Sequence, residues 1–185
     1  MPNFYTTVSQ FIEQGYDAFC INRRTISKNY TKVEEFPLMY SEVGQKHLGH
    51  DCFVFSSSIY PSYNFGKVCI GAIGLGRCFL INQTSWSENF REFDDRHLTF
   101  HIGNDKVWKN QEYNNYKFHN LEEVKQIIES YGKQEKLLNL PLVEALIKKN
   151  EEQLGEKPGN LRQKRKTYKQ VIRTLVKRIF KTNAQ

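Results

Sequence analysis

Histidine and cysteine side chains occur together in two short stretches of the sequence. His47, His50 and Cys52 form the pattern H-x-x-H-x-C. His97 and His101 lie four residues apart, a spacing that puts both side chains on one face of a helix or a strand. Imidazole nitrogens and thiolates are zinc ligands, and a tetrahedral site needs four of them to converge. Since such loose spacings arise by chance, we expect ordinary histidines, with no resident metal and no cofactor.

Carboxylates that could hold a divalent cation for phosphodiester hydrolysis lie just before the second histidine pair. Glu92, Asp94 and Asp95 form an acidic cluster, and Glu123-Val124-Lys125 has the E-x-K spacing found in metal-dependent nucleases. A metal-dependent nuclease or hydrolase that uses the acidic and histidine cluster around 92–101 is therefore one alternative for the function. We favour a structural interpretation, because arginines flank the acidic cluster and Glu123 fits a helix cap.

A glycine-rich stretch, residues 71–76, has the order G-x-x-G-x-G. A loop that cradles phosphate opens a helix, so that backbone N–H groups face the anion. Phe79 and Ile81 give residues 77–82 some aromatic and β-branched character, and no clear helix signal follows Gly76. We therefore predict a hairpin, with strands over 67–73 and 77–82 and a turn at 74–76.

The last 29 residues are strongly basic: residues 157–185 contain ten lysines and arginines and no acid. The whole chain carries a formal net charge of +7, so the first 156 residues carry about −3. The positive charge is therefore local, and a local cationic segment is typical of proteins that meet a nucleic acid, an anionic membrane or an acidic protein.

The same segment has the pattern of an amphipathic helix, which we predict over about 161–181. Seven apolar side chains recur at spacings of three and four residues: Tyr168, Val171, Ile172, Leu175, Val176, Ile179 and Phe180. Such a stripe docks on a protein or membrane surface and leaves the cations facing outward. A solvated structural helix normally mixes both signs of charge, as residues 144–152 do.

Aromatic side chains suited to base stacking also occur in the middle of the chain. They are Phe53, Phe55, Tyr60, Tyr63 and Phe65. Since no ribonucleoprotein-type motif accompanies them, we expect these rings to belong to the core. An aromatic content of 14% compensates for a modest 39% of hydrophobic residues, so one compact domain can still form a core.

The elements that must position these residues divide the chain into three parts. An apolar stripe at Phe4, Val8, Phe11 and Ile12 predicts an N-terminal helix. Residues 51–119 contain short strand-like runs separated by turn residues, a pattern typical of an antiparallel meander. Strands are predicted at 52–55, 67–73, 77–82, 97–102 and 113–118. Residues 120–185 have helical patterns. The fold class is therefore α+β, with a single antiparallel sheet, an N-terminal helix and a helical C-terminal third.

Helix signals mark the boundaries within the C-terminal third. Asn120 and Glu123 have the spacing of a capping box that would begin a helix ending at Gly132. Pro141 suits the first position of the next helix, which we predict to Gly155. The end of this predicted helix at Gly155 divides the chain into an α+β domain, 1–155, and a basic amphipathic helix, 156–185.

The sequence has neither the n-region of a signal peptide nor an apolar run near the roughly 20 residues that a membrane span needs. We therefore expect a cytoplasmic protein without a membrane span. Its four cysteines form no C-x-x-C pair, so we expect reduced thiols.

These observations predict a binding or assembly protein without catalytic residues that contacts nucleic-acid phosphates. The contacting residues would be Arg162, Lys164, Arg165, Lys166, Lys169, Arg173, Lys177 and Arg178. A second alternative to this function is a protein–protein adaptor, which would dock its last helix on an acidic partner or on a second copy of the chain.

Overall fold

The computed structural model describes residues 2–103, 111–131 and 141–155. Five α-helices lie in these ranges: α1, Pro2–Glu13; α2, Phe36–Ser41; α3, Leu75–Trp86; α4, Asn114–Tyr131; and α5, Pro141–Gly155. Four strands accompany them: β1, Ala18–Ile26; β2, Gln45–Phe55; β3, Phe90–Phe93; and β4, Thr99–Ile102. Together they confirm the α+β class, the N-terminal helix and the presence of helices after residue 113.

The four strands form one mixed sheet around β1, so the prediction of a purely antiparallel sheet was wrong. β2 pairs antiparallel with β1 along one edge. On the other edge, β3 runs parallel to Ala18–Ile21 and β4 runs parallel to Arg23–Ile26. After β2 the chain crosses to the far side of β1 through a segment that contains a helix, and β3 runs opposite to β2 and therefore parallel to β1. The parallel strands β1 and β3 are thus joined by a long connection, as parallel pairing requires.

That helix is α3, and it replaces the hairpin predicted over 67–82. The helix begins at Leu75, immediately after Gly74, and contains the rest of the predicted turn and all of the predicted second strand. The β-branched residues of this segment suggested a strand. The segment is helical because the helix buries Ile81, Thr84 and neighbouring side chains. Intrinsic propensity is a weak signal when tertiary contacts are this extensive.

The strand predicted over 113–118 is also absent from the described residues, since α4 begins at Asn114. Asn120 and Glu123 therefore lie well inside α4 and do not cap its start. The boundary predicted at Pro141 is confirmed, because α5 runs from Pro141 to Gly155. The predicted strand over 52–55 is confirmed as the end of β2.

The core has two parts, one on each side of β1. On one side, Cys20 packs with Ile81 of α3, Val124 of α4 and Leu146 of α5. On the other, a second cluster joins α1 to the sheet and is made of Phe11, Phe19, Ile21, Phe93 and Leu98. Because both clusters are buried against β1, this strand is held firmly in place, and it positions the polar side chains that project from it.

Candidate functional site: an arginine–histidine cluster on the sheet

Arg23 lies in the second half of β1 and contacts polar side chains from both neighbouring strands. Its Nη2 atom lies 3.0 Å from Nε2 of His47, in β2. Its Nη1 atom lies 3.4 Å from Oδ1 of Asp51 and 3.4 Å from Nδ1 of His101, in β4. The side chains of Arg23, His47, Asp51 and His101 thus form one cluster, here called the arginine–histidine cluster.

Asp51 joins Arg23 to His101 within this cluster. Its Oδ2 atom lies 3.5 Å from Nδ1 of His101, while Oδ1 faces Arg23. The aspartate and histidine side chains are each 37% exposed, whereas the arginine side chain is 18% exposed. Solvent molecules and ligands therefore reach the cluster from one side, and the guanidinium lies at its base.

The His47 ring is held by its own strand as well as by Arg23. The backbone N–H of Gly49 donates to Nδ1 at 2.8 Å. Burial lowers the pKa of His47 below its ordinary value, and the nearby charge of Arg23 lowers it further. His47 is therefore neutral at pH 7 and has a single N–H group to offer.

The other candidate zinc ligands do not join this cluster. His50 Nε2 lies 2.9 Å from Oε1 of Glu92, which pairs it with a different part of the sheet. Cys52 packs against the core cluster around Phe19. Across the described ranges, no three His, Cys, Asp or Glu side chains are arranged to hold a metal ion. Between His47 and His101 lies a guanidinium, which would repel a metal cation.

His97 also lies apart from His101, although both belong to one sequence pattern. Its ring lies 6.3 Å from that of Tyr40 and 5.0 Å from that of Phe100. Burial lowers the pKa of His97, and the charge of Arg24 adds to the effect. The ring therefore packs in a small aromatic group and does not face the cluster's polar atoms.

The acidic cluster at 92–95 is divided among three separate basic side chains. Glu92 pairs with His50, Asp94 with Lys46 at 2.9 Å, and Asp95 with Arg96 at 3.4 Å. The hydrogen bond and charge of Lys46 lower the pKa of Asp94. Of the flanking arginines, Arg96 pairs with the cluster as expected, whereas Glu92 and Asp94 pair with side chains of β2. The three carboxylates thus do not converge in the way that a two-metal nuclease requires.

Glu123 and Asn120 hold a loop against α4 instead of serving at a phosphodiester. Oε2 of Glu123 accepts the backbone N–H of Lys67 at 2.8 Å. The Asn120 amide accepts from the N–H of Cys69 at 2.8 Å and donates to the same residue's carbonyl at 2.9 Å. The E-x-K tripeptide therefore has a structural role that its spacing did not reveal.

The thiols of three cysteines are poor nucleophiles in this fold. Burial raises the pKa of Cys20 and of Cys52, and it raises the pKa of Cys78 to about 12. A thiolate is the reactive form of cysteine. These three side chains therefore stay protonated at neutral pH and pack as small apolar groups.

The five candidate stacking aromatics lie together beside α3. Phe53 stacks on Phe79 at 4.9 Å, and Phe65 contacts the same ring. Phe55, Tyr60 and Tyr63 extend this group toward solvent, where Tyr60 is 52% exposed. Phe53 and Phe65 pack against the core cluster, in agreement with a core role for these two rings.

The eight basic residues predicted to contact phosphates, from Arg162 to Arg178, lie outside the described residues. Within the described ranges, no helix combines the length and apolar character needed to cross a membrane. Comparison with known proteins found no matching family model, no matching curated protein and no matching solved structure.

Proposed function

We propose that the protein binds nucleic acid through its basic C-terminal segment, residues 157–185. The observation that carries this proposal is the separation of charge: ten cations and no acid in that segment, against about −3 in the rest of the chain. The phosphate contacts would come from Arg162, Lys164, Arg165, Lys166, Lys169, Arg173, Lys177 and Arg178. Such contacts position a protein on a nucleic acid without reading its sequence.

Nine carboxylates of the folded part have local partners, which supports an external partner for the basic segment. One group pairs with basic side chains of the same domain: Asp51, Glu92, Asp94, Asp95 and Glu129. A second group accepts backbone N–H groups: Asp17, Glu35, Glu42 and Glu123. These nine acids could neutralise the basic segment only if their existing contacts were broken.

Several cations of the folded part are also engaged and add little to a polyanion surface. Lys46 and Lys125 pair with Asp94 and Glu129. Arg77 is largely buried and donates to the side-chain oxygens of Asn150 and Gln153. The basic segment is therefore the strongest candidate for contacts that release condensed counterions.

The test replaces four segment cations in the full chain, Arg162, Lys164, Arg165 and Lys166, with glutamine. We expect the variant to bind a labelled oligonucleotide more weakly than the unmodified protein at low salt. Each phosphate contact contributes about 0.7–0.9 to the slope of log affinity against log salt concentration. Losing four contacts should therefore reduce that slope by roughly 3.

A matched control makes the same charge change on the folded part, with glutamine at Lys28, Lys32, Lys46 and Lys67. We expect this control to keep most of the salt slope. Equal losses in the two variants would mean that net charge alone drives binding, and the proposed site would be wrong.

Nuclease treatment of freshly isolated protein adds a second measurement. Co-purifying polynucleotide supports the proposal, whereas a bound acidic protein would favour the adaptor alternative.

A further inference from the structure

The ring of His47 faces a hydrogen-bond donor at each of its two nitrogens. The N–H of Gly49 lies 2.8 Å from Nδ1, and Nη2 of Arg23 lies 3.0 Å from Nε2. A neutral imidazole has one N–H and one lone pair, an imidazolium has two N–H groups, and a guanidinium only donates. In either state of the ring, at least one of these contacts therefore places two donors against each other.

The local geometry indicates that the contact with Arg23 is the one that lacks an acceptor. A Cβ atom at position 49 would lie only 2.9 Å from Nδ1 of His47, so glycine permits the ring to approach the backbone. With Nδ1 accepting the Gly49 N–H, the neutral ring carries its proton on Nε2. This N–H and that of Arg23 Nη2 then converge on one region, where an oxygen atom could accept from both.

Two further observations favour an anionic oxygen at this position. Nε of Arg23 is buried and has no acceptor among the described residues. The charges of Arg23 and Lys149 lower the pKa of His47, whereas that of Asp51 raises it. Two cations thus oppose one carboxylate there, so the local field favours an anion.

We propose that Arg23 and His47 form a binding site for a phosphate group. A guanidinium presents several N–H donors in a planar fork that matches phosphate oxygens, and the His47 Nε2–H adds one more donor from the side. Asp51 orients Arg23 through the other terminal nitrogen, Nη1, and also weakens anion binding by its charge. As an extension that rests on the proposed function, the phosphate would belong to the bound polynucleotide; free phosphate would satisfy the same donors.

The test titrates inorganic phosphate into the full chain at constant ionic strength, with calorimetry or ³¹P resonance as the measurement. We expect saturable binding that Arg23→Gln and His47→Phe each weaken about tenfold or more, since each removes a donor to a charged group. His47→Gln retains an amide N–H near the Nε2 position and should bind within about threefold of the unmodified protein.

A purely structural role of Arg23 and His47 would not explain the result that we expect for Asp51→Asn. Asparagine still accepts a hydrogen bond from Arg23, but the repelling charge is removed, so phosphate should bind about threefold more tightly. A variant that merely disturbs the fold would bind more weakly. Absence of saturable phosphate binding, or unchanged binding in Arg23→Gln and His47→Phe, would overturn the proposed site.

The same titration on the chain with glutamine at Arg162, Lys164, Arg165 and Lys166 separates this site from the proposed function. Phosphate binding that persists while oligonucleotide binding is lost would support both sites. Phosphate binding in a protein that never binds oligonucleotide would refute only the proposed function. Displacement of phosphate by an oligonucleotide identifies the polynucleotide as the source, and simultaneous binding identifies free phosphate.

Discussion

Asn120 shows how a single buried amide can connect a helix to a loop. The side chain lies in the middle of α4, is fully buried, and makes two hydrogen bonds to the backbone of Cys69. Its spacing to Glu123 suggested a cap because both types are common at helix starts. Inside the helix, the same two side chains instead satisfy backbone groups of residues 67–69.

Replacing Asn120 with alanine should therefore destabilise the fold. The change leaves the N–H and the carbonyl of Cys69 without their partner, and each buried unsatisfied group costs roughly 1–3 kcal/mol. We expect the free energy of unfolding to fall by about 2–4 kcal/mol in urea denaturation. Asn115→Ala, at an exposed position of the same helix, is the control and should change it by less than about 1 kcal/mol. Equal effects of the two changes would contradict this role.

The arginine–histidine cluster could be predicted from the sequence only in part. The histidine pattern singled out His47 and His101, but it placed them with His50, Cys52 and His97. Arg23 and Asp51 were missed, because the four residues of the cluster come from three strands. Their meeting depends on strand register and on the irregular pairing of β1 with β2 near Asn22. No local spacing carries that information.

At the scale of elements, α3 is where local sequence and final structure disagree most. Phe79 and Ile81 suggested a strand in its first half, and the glycines around its start suggested a turn. The helix forms because its side chains are buried against β1, β2 and α4 and because Gly74 adopts a φ of +116° at its N-cap. By contrast, α1 and α5 have local signals that agree with their environment, and both were predicted.

Gly74 is therefore expected to tolerate a side chain poorly. A Cβ atom there would lie 3.1 Å from Cβ of Asn120 and 3.3 Å from Cγ2 of Val124. Gly71 also has a positive φ, +87°, but a Cβ at that position would meet nothing within 4 Å. Both substitutions by alanine share the backbone strain, and only the one at Gly74 adds crowding against α4.

We expect Gly74→Ala to lower the free energy of unfolding by about 1–3 kcal/mol more than Gly71→Ala, the range for overpacking a filled site. Thermal and urea unfolding of the two variants measure this difference. If the two substitutions cost the same, close packing of Gly74 on α4 does not limit the start of α3.

At the scale of the whole molecule, the sheet explains both the success and the failure of the fold prediction. Composition and periodicity were enough for the α+β class, since they report how much helix and strand the chain contains. They did not report strand order or strand direction, because both depend on pairing between strands that are distant in the sequence. With 75–86 helical, the next strand, β3, lies on the far side of β1, where it runs opposite to β2 and therefore parallel to β1.

The division of the chain at residues 155 and 156 leads to a final prediction, that a chain ending at Glu156 folds without the basic segment. The two core clusters in the described ranges are built from side chains between Phe4 and Ile147. The shortened chain keeps those side chains and carries a net charge of about −3. We therefore expect a cooperative unfolding transition close to that of the full chain and loss of oligonucleotide binding.

A truncated protein that fails to fold would show that the boundary is misplaced, because the segment would then complete the core. A truncated protein that folds and still binds would show that the phosphate contacts lie within residues 1–156, with Arg23 and His47 the first positions to test.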